Sequence, residues 1–300
     1  MDPKLAKDFK SGFVAIIGAP NVGKSTLLNK MLGQKLSITS KKPQTTRNRI
    51  LGIANKPSAQ FIFLDTPGVH QSKKPLNLRI VEVALATLGD SDLILMLVDA
   101  SKPDPASEDL LLQALKNQTN PVVLAINKTD LVEKPVLLGQ IDAWHKAYPF
   151  QAIIPISAKT EDQVEALFSA MVASLPWGPL LFPESMMTDM PERFIAAEMI
   201  REKVFRLTGQ EIPYAVAVTI DVFKEKKNGR LTSIEATIHV ERDSQKGVII
   251  GKRGAKLKQI GEAARKEIEQ MLASKVFLKL FVRVQKNWTK DTKALRRFGY

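Results

Sequence analysis

The chain has 300 residues, 44% hydrophobic and 25% charged, the make-up of a globular protein with room for two domains rather than of a disordered or fibrous chain. It contains no cysteine, which excludes disulfides and thiolate metal centres and fits a reducing compartment. Lys and Arg number 44 against 31 Asp and Glu, a net charge of +13, and the excess is uneven: 20 basic against 16 acidic before residue 181, then 24 against 15. A field of that sign attracts nucleic acid or an anionic membrane surface.

The opening stretch MDPKLAKDFKSG lacks the apolar core of a signal peptide, and no run is apolar for the roughly 20 residues of a membrane span, so a cytoplasmic protein is expected. Short apolar runs at 13–17 (FVAII), 61–64 (FIFL), 93–98 (LILMLV) and 122–126 (VVLAI) read as strands. A run at 152–156 (AIIPI) is weakened by its proline. Most lack polar alternation, as expected of strands covered on both faces of a largely parallel sheet. Helical patterns at 24–32, 107–116 and 161–175 intervene, so the first half reads as α/β. The proline-punctuated stretch PWGPLLFPESMMTDMP then marks a boundary. Residues 1–180 form one expected domain, 181–191 a linker and 192–300 a second domain. That second domain reads as a helix at 192–207, strands at 214–224 and 234–241 joined by a turn at Asn228-Gly229, a basic helix at 256–272, and a strand at 276–284 with the alternating VFLKLFVRV.

Gly18-Ala19-Pro20-Asn21-Val22-Gly23-Lys24-Ser25, followed by Thr26, matches G-x-x-x-x-G-K-[ST] between a predicted strand and a predicted helix. The glycines let successive backbone N–H groups converge on phosphate oxygens, and the helix start adds its positive end. Lys24 would reach the β and γ phosphates, and the Ser25 hydroxyl would ligate Mg²⁺. Asp65-Thr66-Pro67-Gly68 closes the second predicted strand, where a carboxylate can hold the same ion and Gly68 can act as a hinge. Asn127-Lys128-Thr129-Asp130 closes another strand. Asp130 can accept from the N1–H and exocyclic amine of guanine, a donor pair that adenine lacks. Lys128 can lie along the base, and Asn127 can tie this loop to the phosphate loop. Ser157-Ala158-Lys159 follows the next strand, where a backbone N–H would meet the guanine O6.

Together these residues resemble the motifs of the translation-factor-related GTPases. The resemblance implies a switch threonine between the first two motifs, where Lys41-Lys42-Pro43-Gln44-Thr45-Thr46-Arg47 lies. Thr46 is the better match and Thr45 the alternative; the hydroxyl would complete the Mg²⁺ shell. Asn21 stands where related GTPases bind potassium, making K⁺ a second candidate cofactor. Ras-like enzymes place a water-orienting glutamine after the D-x-x-G glycine, but here the residue is Val69, which implies slow intrinsic hydrolysis. His70 is read as solvated or structural rather than as a base.

In the second domain, Gly247-Val248-Ile249-Ile250-Gly251-Lys252-Arg253-Gly254 resembles the V-I-I-G-x-x-G signature of KH domains, and the order of elements resembles the type II KH fold, an α+β arrangement. The turn would approach a sugar-phosphate backbone, with Lys252 and Arg253 supplying charge. Val248, Ile249 and Ile250 would line the base groove, and Lys256 and Lys258 would extend the basic surface. The tail from Lys286 to Arg297 either extends that surface or packs through Trp288, Leu295 and Phe298.

A single GTPase domain followed by a KH domain with an intact GKRG turn resembles the Era-type ribosome-assembly GTPases over nearly the whole chain. That resemblance implies GTP hydrolysis coupled to binding the 3′ end of 16S ribosomal RNA during 30S subunit maturation, with loose association at the inner membrane. A monomer is expected. Three rival readings stand beside it: an ATP-driven RNA remodelling enzyme, against which Asp130 argues; an RNA-binding scaffold with a structural nucleotide site; and a basic membrane-surface module.

Overall fold

The computed structural model describes residues 9–39, 49–70, 75–208, 216–226 and 230–298. They fall into two compact units. One holds the described residues up to Ser37 and from 49 to Asp189; the other holds Ile38, Thr39 and the described residues from Met190 onward.

The first unit runs β1 (Lys10–Gly18), α1 (Lys24–Leu32), β2 (Ile50–Lys56), β3 (Ala59–Asp65), α2 (Pro75–Gly89), β4 (Leu93–Asp99), α3 (Pro105–Leu115), β5 (Val122–Asn127), α4 (Lys134–Ala147), β6 (Ala152–Pro155) and α5 (Val164–Ser174). Its sheet has the order β2-β3-β1-β4-β5-β6, parallel throughout except for the antiparallel pair β2 and β3. The apolar strands do cover both faces. Along β1, Val14 and Ile16 pack with Leu27 and Leu28 of α1 and Phe168 of α5, while Ala15 and Ile17 pack with Leu88 of α2 and Leu111 of α3. Side chains alternate across a strand, so a helix layer on each face selects apolar residues at successive positions, and a polar one such as Gln60 is kept where it finds bonding partners.

The antiparallel β2 carries no clear strand signal in ILGIANK, whose apolar run is broken by Gly52. Its outer edge is covered by the proline-punctuated stretch. The Ile53 amide donates to the Met187 carbonyl at 2.8 Å, and the Thr188 hydroxyl donates to the Leu51 carbonyl at 2.6 Å. Gln60 Oε1 accepts from the Leu181 and Phe182 amides. A covered edge has no free backbone ladder with which to recruit another strand.

The second unit runs α6 (Glu192–Leu207), β7 (Ala217–Glu225), β8 (Leu231–Val240), α7 (Asp243–Ile250), α8 (Ala255–Leu272), β9 (Lys275–Val284) and α9 (Thr292–Arg297). Its three strands lie in the order β7-β8-β9, with β8 and β9 parallel. The expected turn at Asn228-Gly229 lies outside the described residues. Trp288 is wholly buried with Phe298 edge-on to it at 5.1 Å, so the tail packs through its aromatic residues.

Candidate functional site

In an open α/β sheet, ligands bind beyond the carboxyl ends of the strands where the strand order reverses, and β1 is that point here. Gly18 ends β1, Asp65 ends β3, and register pairs Ile16 with Asp65, so the phosphate loop and the D-T-P-G segment leave the sheet side by side. They touch: a side chain at Gly68 would come within 2.7 Å of the Pro20 backbone, and the Val69 amide donates to the Gly18 carbonyl at 3.1 Å. Val69 itself is wholly buried in the core between the sheet and α2. The position after the glycine is therefore an anchor for the segment. His70 faces back through Nδ1 to the Gly68 carbonyl at 3.1 Å.

Lys24 is buried in the loop it closes, its ammonium donating to the Gly18 and Ala19 carbonyls, each at 2.9 Å. Burial pushes that ammonium down to about 8, with the nearby Asp65 carboxylate raising it part of the way back. Asp65 is fully buried. Its Oδ2 accepts from the Ser25 hydroxyl at 2.9 Å and from the Ser37 hydroxyl at 2.8 Å, whereas Oδ1 has no hydrogen-bond partner among the described residues. Desolvation raises its pKa; the Ser37 bond, the Lys24 charge and the Ser25 bond hold it back. Thr66, inside the same segment, donates to the Ile16 carbonyl at 2.7 Å. Ser37 carries no sequence signal, lying in an undistinguished LSITS stretch; only folding brings it to Asp65. Thr45 and Thr46 lie outside the described residues.

The opposite wall is organised by Asn127. Its side chain donates to the Val22 carbonyl at 2.7 Å and accepts from the Ala158 amide at 2.9 Å, joining three loops through one amide group. Gly23 is where this join is tightest: its φ of 106° is left-handed, and a side chain there would meet Asn127 Nδ2 at 2.2 Å. Asp130 is held from the far side. The Ser157 hydroxyl donates to its Oδ1 at 2.8 Å, and the Lys159 ammonium lies 3.9 Å from Oδ2. The Ser157 amide donates to the Asp162 carbonyl at 3.1 Å and the Ala158 amide to Asn127 Oδ1, so both are engaged within the protein. Lys128 takes a left-handed φ of 67° and pairs with Asp99. Asp99 escaped the sequence reading although it ends a core strand, as Asp65 does. The structure thus brings the three motifs, and the 157–159 loop, into one cleft.

The second unit presents its glycine turn differently. Gly251–Gly254 links α7 to α8, with Lys252 and Arg253 exposed and Arg253 in the left-handed region at φ 52°. Val248 and Ile250 are half-buried beside the turn. Ile249 is wholly buried, which corrects the expectation that all three residues line the groove. Successive helical residues point about 100° apart, so one of three adjacent side chains turns into the core. Lys258 is exposed, while Lys256 is half-buried and reaches Gln259 at 3.3 Å.

A model of the 50S ribosome-binding GTPase domain matches residues 13–128, and a KH domain model matches residues 211–289. GTPase Era of Geobacter metallireducens is 58% identical over 292 residues, covering 97% of this chain and 98% of its own. The chain belongs to the GTPase Era family. GTPase Era of Lacticaseibacillus paracasei is 49% identical over 290 residues, covering 97% of this chain and 96% of its own. A crystal structure of an Aquifex aeolicus Era variant bound to GDP·AlF₄⁻ superposes with a TM-score of 0.93 at 43% identity, covering 97% of this chain and 99% of that one. Equal in similarity is Era in complex with MgGDPNP and nucleotides 1506–1542 of 16S ribosomal RNA, also at TM-score 0.93 and 43% identity. The fold is accordingly a P-loop GTPase domain followed by a KH domain, and the protein is a GTP hydrolase.

Proposed function

We propose that this chain is a slow GTPase switch that binds the 3′ end of 16S ribosomal RNA and assists assembly of the small ribosomal subunit. The observation that carries the nucleotide half is the pair of hydrogen bonds that Asn127 makes, to the Val22 carbonyl and from the Ala158 amide, which tie the phosphate loop to the base loops. Asp130, oriented by the Ser157 hydroxyl, takes the two guanine donors, and Lys128 lies along the base. Lys24 leaves the Gly18 and Ala19 carbonyls for the β and γ phosphates.

Mg²⁺ fits the other end. Asp65 offers a buried oxygen with no other partner among the described residues, Ser25 a hydroxyl beside it, and hard oxygen donors are what this ion takes. Ser25, Asp65 and the switch threonine, Thr46 or Thr45, would hold it; when bound, it neutralises phosphate charge. With Val69 anchored in the core, no side chain at that position orients water, which supports slow intrinsic turnover. K⁺ at Asn21 is the proposed accelerator, and equal turnover in K⁺ and Na⁺ would remove it.

The RNA half rests on the exposed GKRG turn and on the family's RNA-bound relative. We assign residues 1–180 to the GTP-binding domain, 181–191 to a connector lying along its edge as far as Asp189, and 192–300 to the RNA-binding domain. Asp130→Asn tests the nucleotide assignment. It should weaken GTP about 10³-fold and favour xanthosine triphosphate, whose ring carbonyl accepts where guanine donates. Undiminished GTP affinity would refute the base reading.

A further inference from the structure

The sheet of the second unit packs one face on α6 and α8, and the other face, covered at one end where Phe298 lies 4.6 Å from the ring of His239, carries a pattern that neither glycine turn uses. On β9, Val276 is buried and Leu278, Leu280, Val282 and Val284 are half-buried, with Leu280 reaching α8 at Gly261. The intervening side chains are Lys275, Phe277, Lys279, Phe281 and Arg283, all exposed. Strand periodicity puts these five on one face, alternating cation and aromatic ring. Phe277 is 56% exposed and Phe281 42%, and the Lys279 ammonium stands 4.9 Å from the Phe281 ring centre. Same-face neighbours repeat every ~7 Å, so the two rings lie about 13 Å apart along a flat strand with a cation between them.

Two phenyl rings in water on an edge strand are an aggregation hazard that an all-charged face would avoid. A stacking platform for unpaired bases needs such rings, and the cations beside them suit the phosphates between bases. The neighbours on β8 favour RNA over an anionic lipid surface. Ser233, Glu235 and Thr237 stand opposite Phe277, Lys279 and Phe281 in the register, and the Thr237 hydroxyl donates to the Asp221 carboxylate at 2.5 Å. Glu235 Oε1 lies 4.0 Å from the Lys279 ammonium, and a carboxylate here can accept from the exocyclic amino groups of stacked bases, a directional contact that phosphatidylglycerol headgroups, with no amino group, do not offer.

We propose that the open sheet face is a second RNA contact, on which unpaired bases stack on Phe277 and Phe281 while Lys275, Lys279 and Arg283 meet the phosphates. This rests on the reading of the second unit as an RNA-binding domain. The test uses the full chain and an RNA of nucleotides 1506–1542 of 16S ribosomal RNA, the segment bound by the relative. Phe277→Ala with Phe281→Ala should weaken binding about tenfold or more. Phe277→Trp should keep affinity, with its fluorescence quenched as RNA is added; this readout still decides the matter if the double variant folds poorly. Lys252→Ala with Arg253→Ala is the control. If that control loses affinity while the double Phe variant binds within twofold of the parent and the Trp is not quenched, the sheet-face contact is wrong and the GKRG reading stands. If neither pair affects binding, the RNA reading itself fails. Trp emission shifted by phosphatidylglycerol vesicles but not by RNA would make the face a membrane contact and overturn the proposal.

Discussion

The chain contains two glycine-bracketed turns that each open a helix and carry a lysine, and they are built in opposite ways. The phosphate loop is enclosed: Gly23 abuts Asn127, Pro20 abuts Gly68, and Lys24 is buried against its own carbonyls. The GKRG turn is open on its outer side: a side chain at Gly254 would meet nothing within 4 Å, and Lys252 and Arg253 stand in solvent, whereas one at Gly251 would come within 2.6 Å of Lys256 in the helix that the turn itself opens. An enclosed loop can hold one small anion in one geometry, as phosphoryl chemistry requires. An open one can meet a polymer backbone that enters and leaves, which suits binding and contributes little to chemistry. The same residue types serve both ends because packing, more than composition, decides which they serve.

The sharpest way to break this contrast is to add one methyl group to each turn. Gly23→Ala forces a left-handed alanine against Asn127, and GTP affinity should fall about 10²-fold by titration calorimetry, with RNA binding in the absence of nucleotide unchanged. Gly254→Ala meets only its own φ of 80°, so RNA affinity should fall no more than about fivefold and GTP affinity should hold. Similar losses at both turns would mean that the enclosure is not what distinguishes them.

Acidity sharpens it further. A base with a lowered pKa sheds its proton early in the free protein, while bound phosphates hold that proton on. GTP affinity should therefore be flat below about pH 8 and fall above it by up to about tenfold per unit, as Lys24 deprotonates. Lys24→Arg, whose guanidinium stays charged, should lose that slope whatever its absolute affinity. The exposed cations of the open turn should instead show themselves through salt. Lys252→Ala with Arg253→Ala should reduce the slope of log affinity against log salt by about 1.4, the share of two phosphates on a single strand, measured by fluorescence anisotropy.

Much of this was legible in the sequence because motifs at strand ends are placed by the strand itself. Once 13–17, 61–64 and 122–126 were strands, Gly18, Asp65 and Asn127 had to emerge on one edge of the sheet. What stayed hidden depends on tertiary approach. Ser37 reaches Asp65 from a segment without pattern, Asp99 meets Lys128 across neighbouring strands, and β2 is a strand because β3 and residues 187–188 bracket it. Ile249 shows the limit from the other side: an apolar triplet marks a surface, but only the helix's rotation says which member is inside. The segment expected to carry the switch threonine lies outside the described residues.

The proposed switch, in which the nucleotide at the enclosed turn would set RNA affinity at the open one, has a direct measurement. The affinity of the full chain for the 1506–1542 RNA is compared with GDP and with MgGDPNP bound. A switch predicts tighter RNA binding in the GDPNP state, by at least about fivefold, the lower end of ordinary coupling between sites. Equal affinity in the two states would contradict it and leave a GTPase and an RNA-binding domain that merely share a chain.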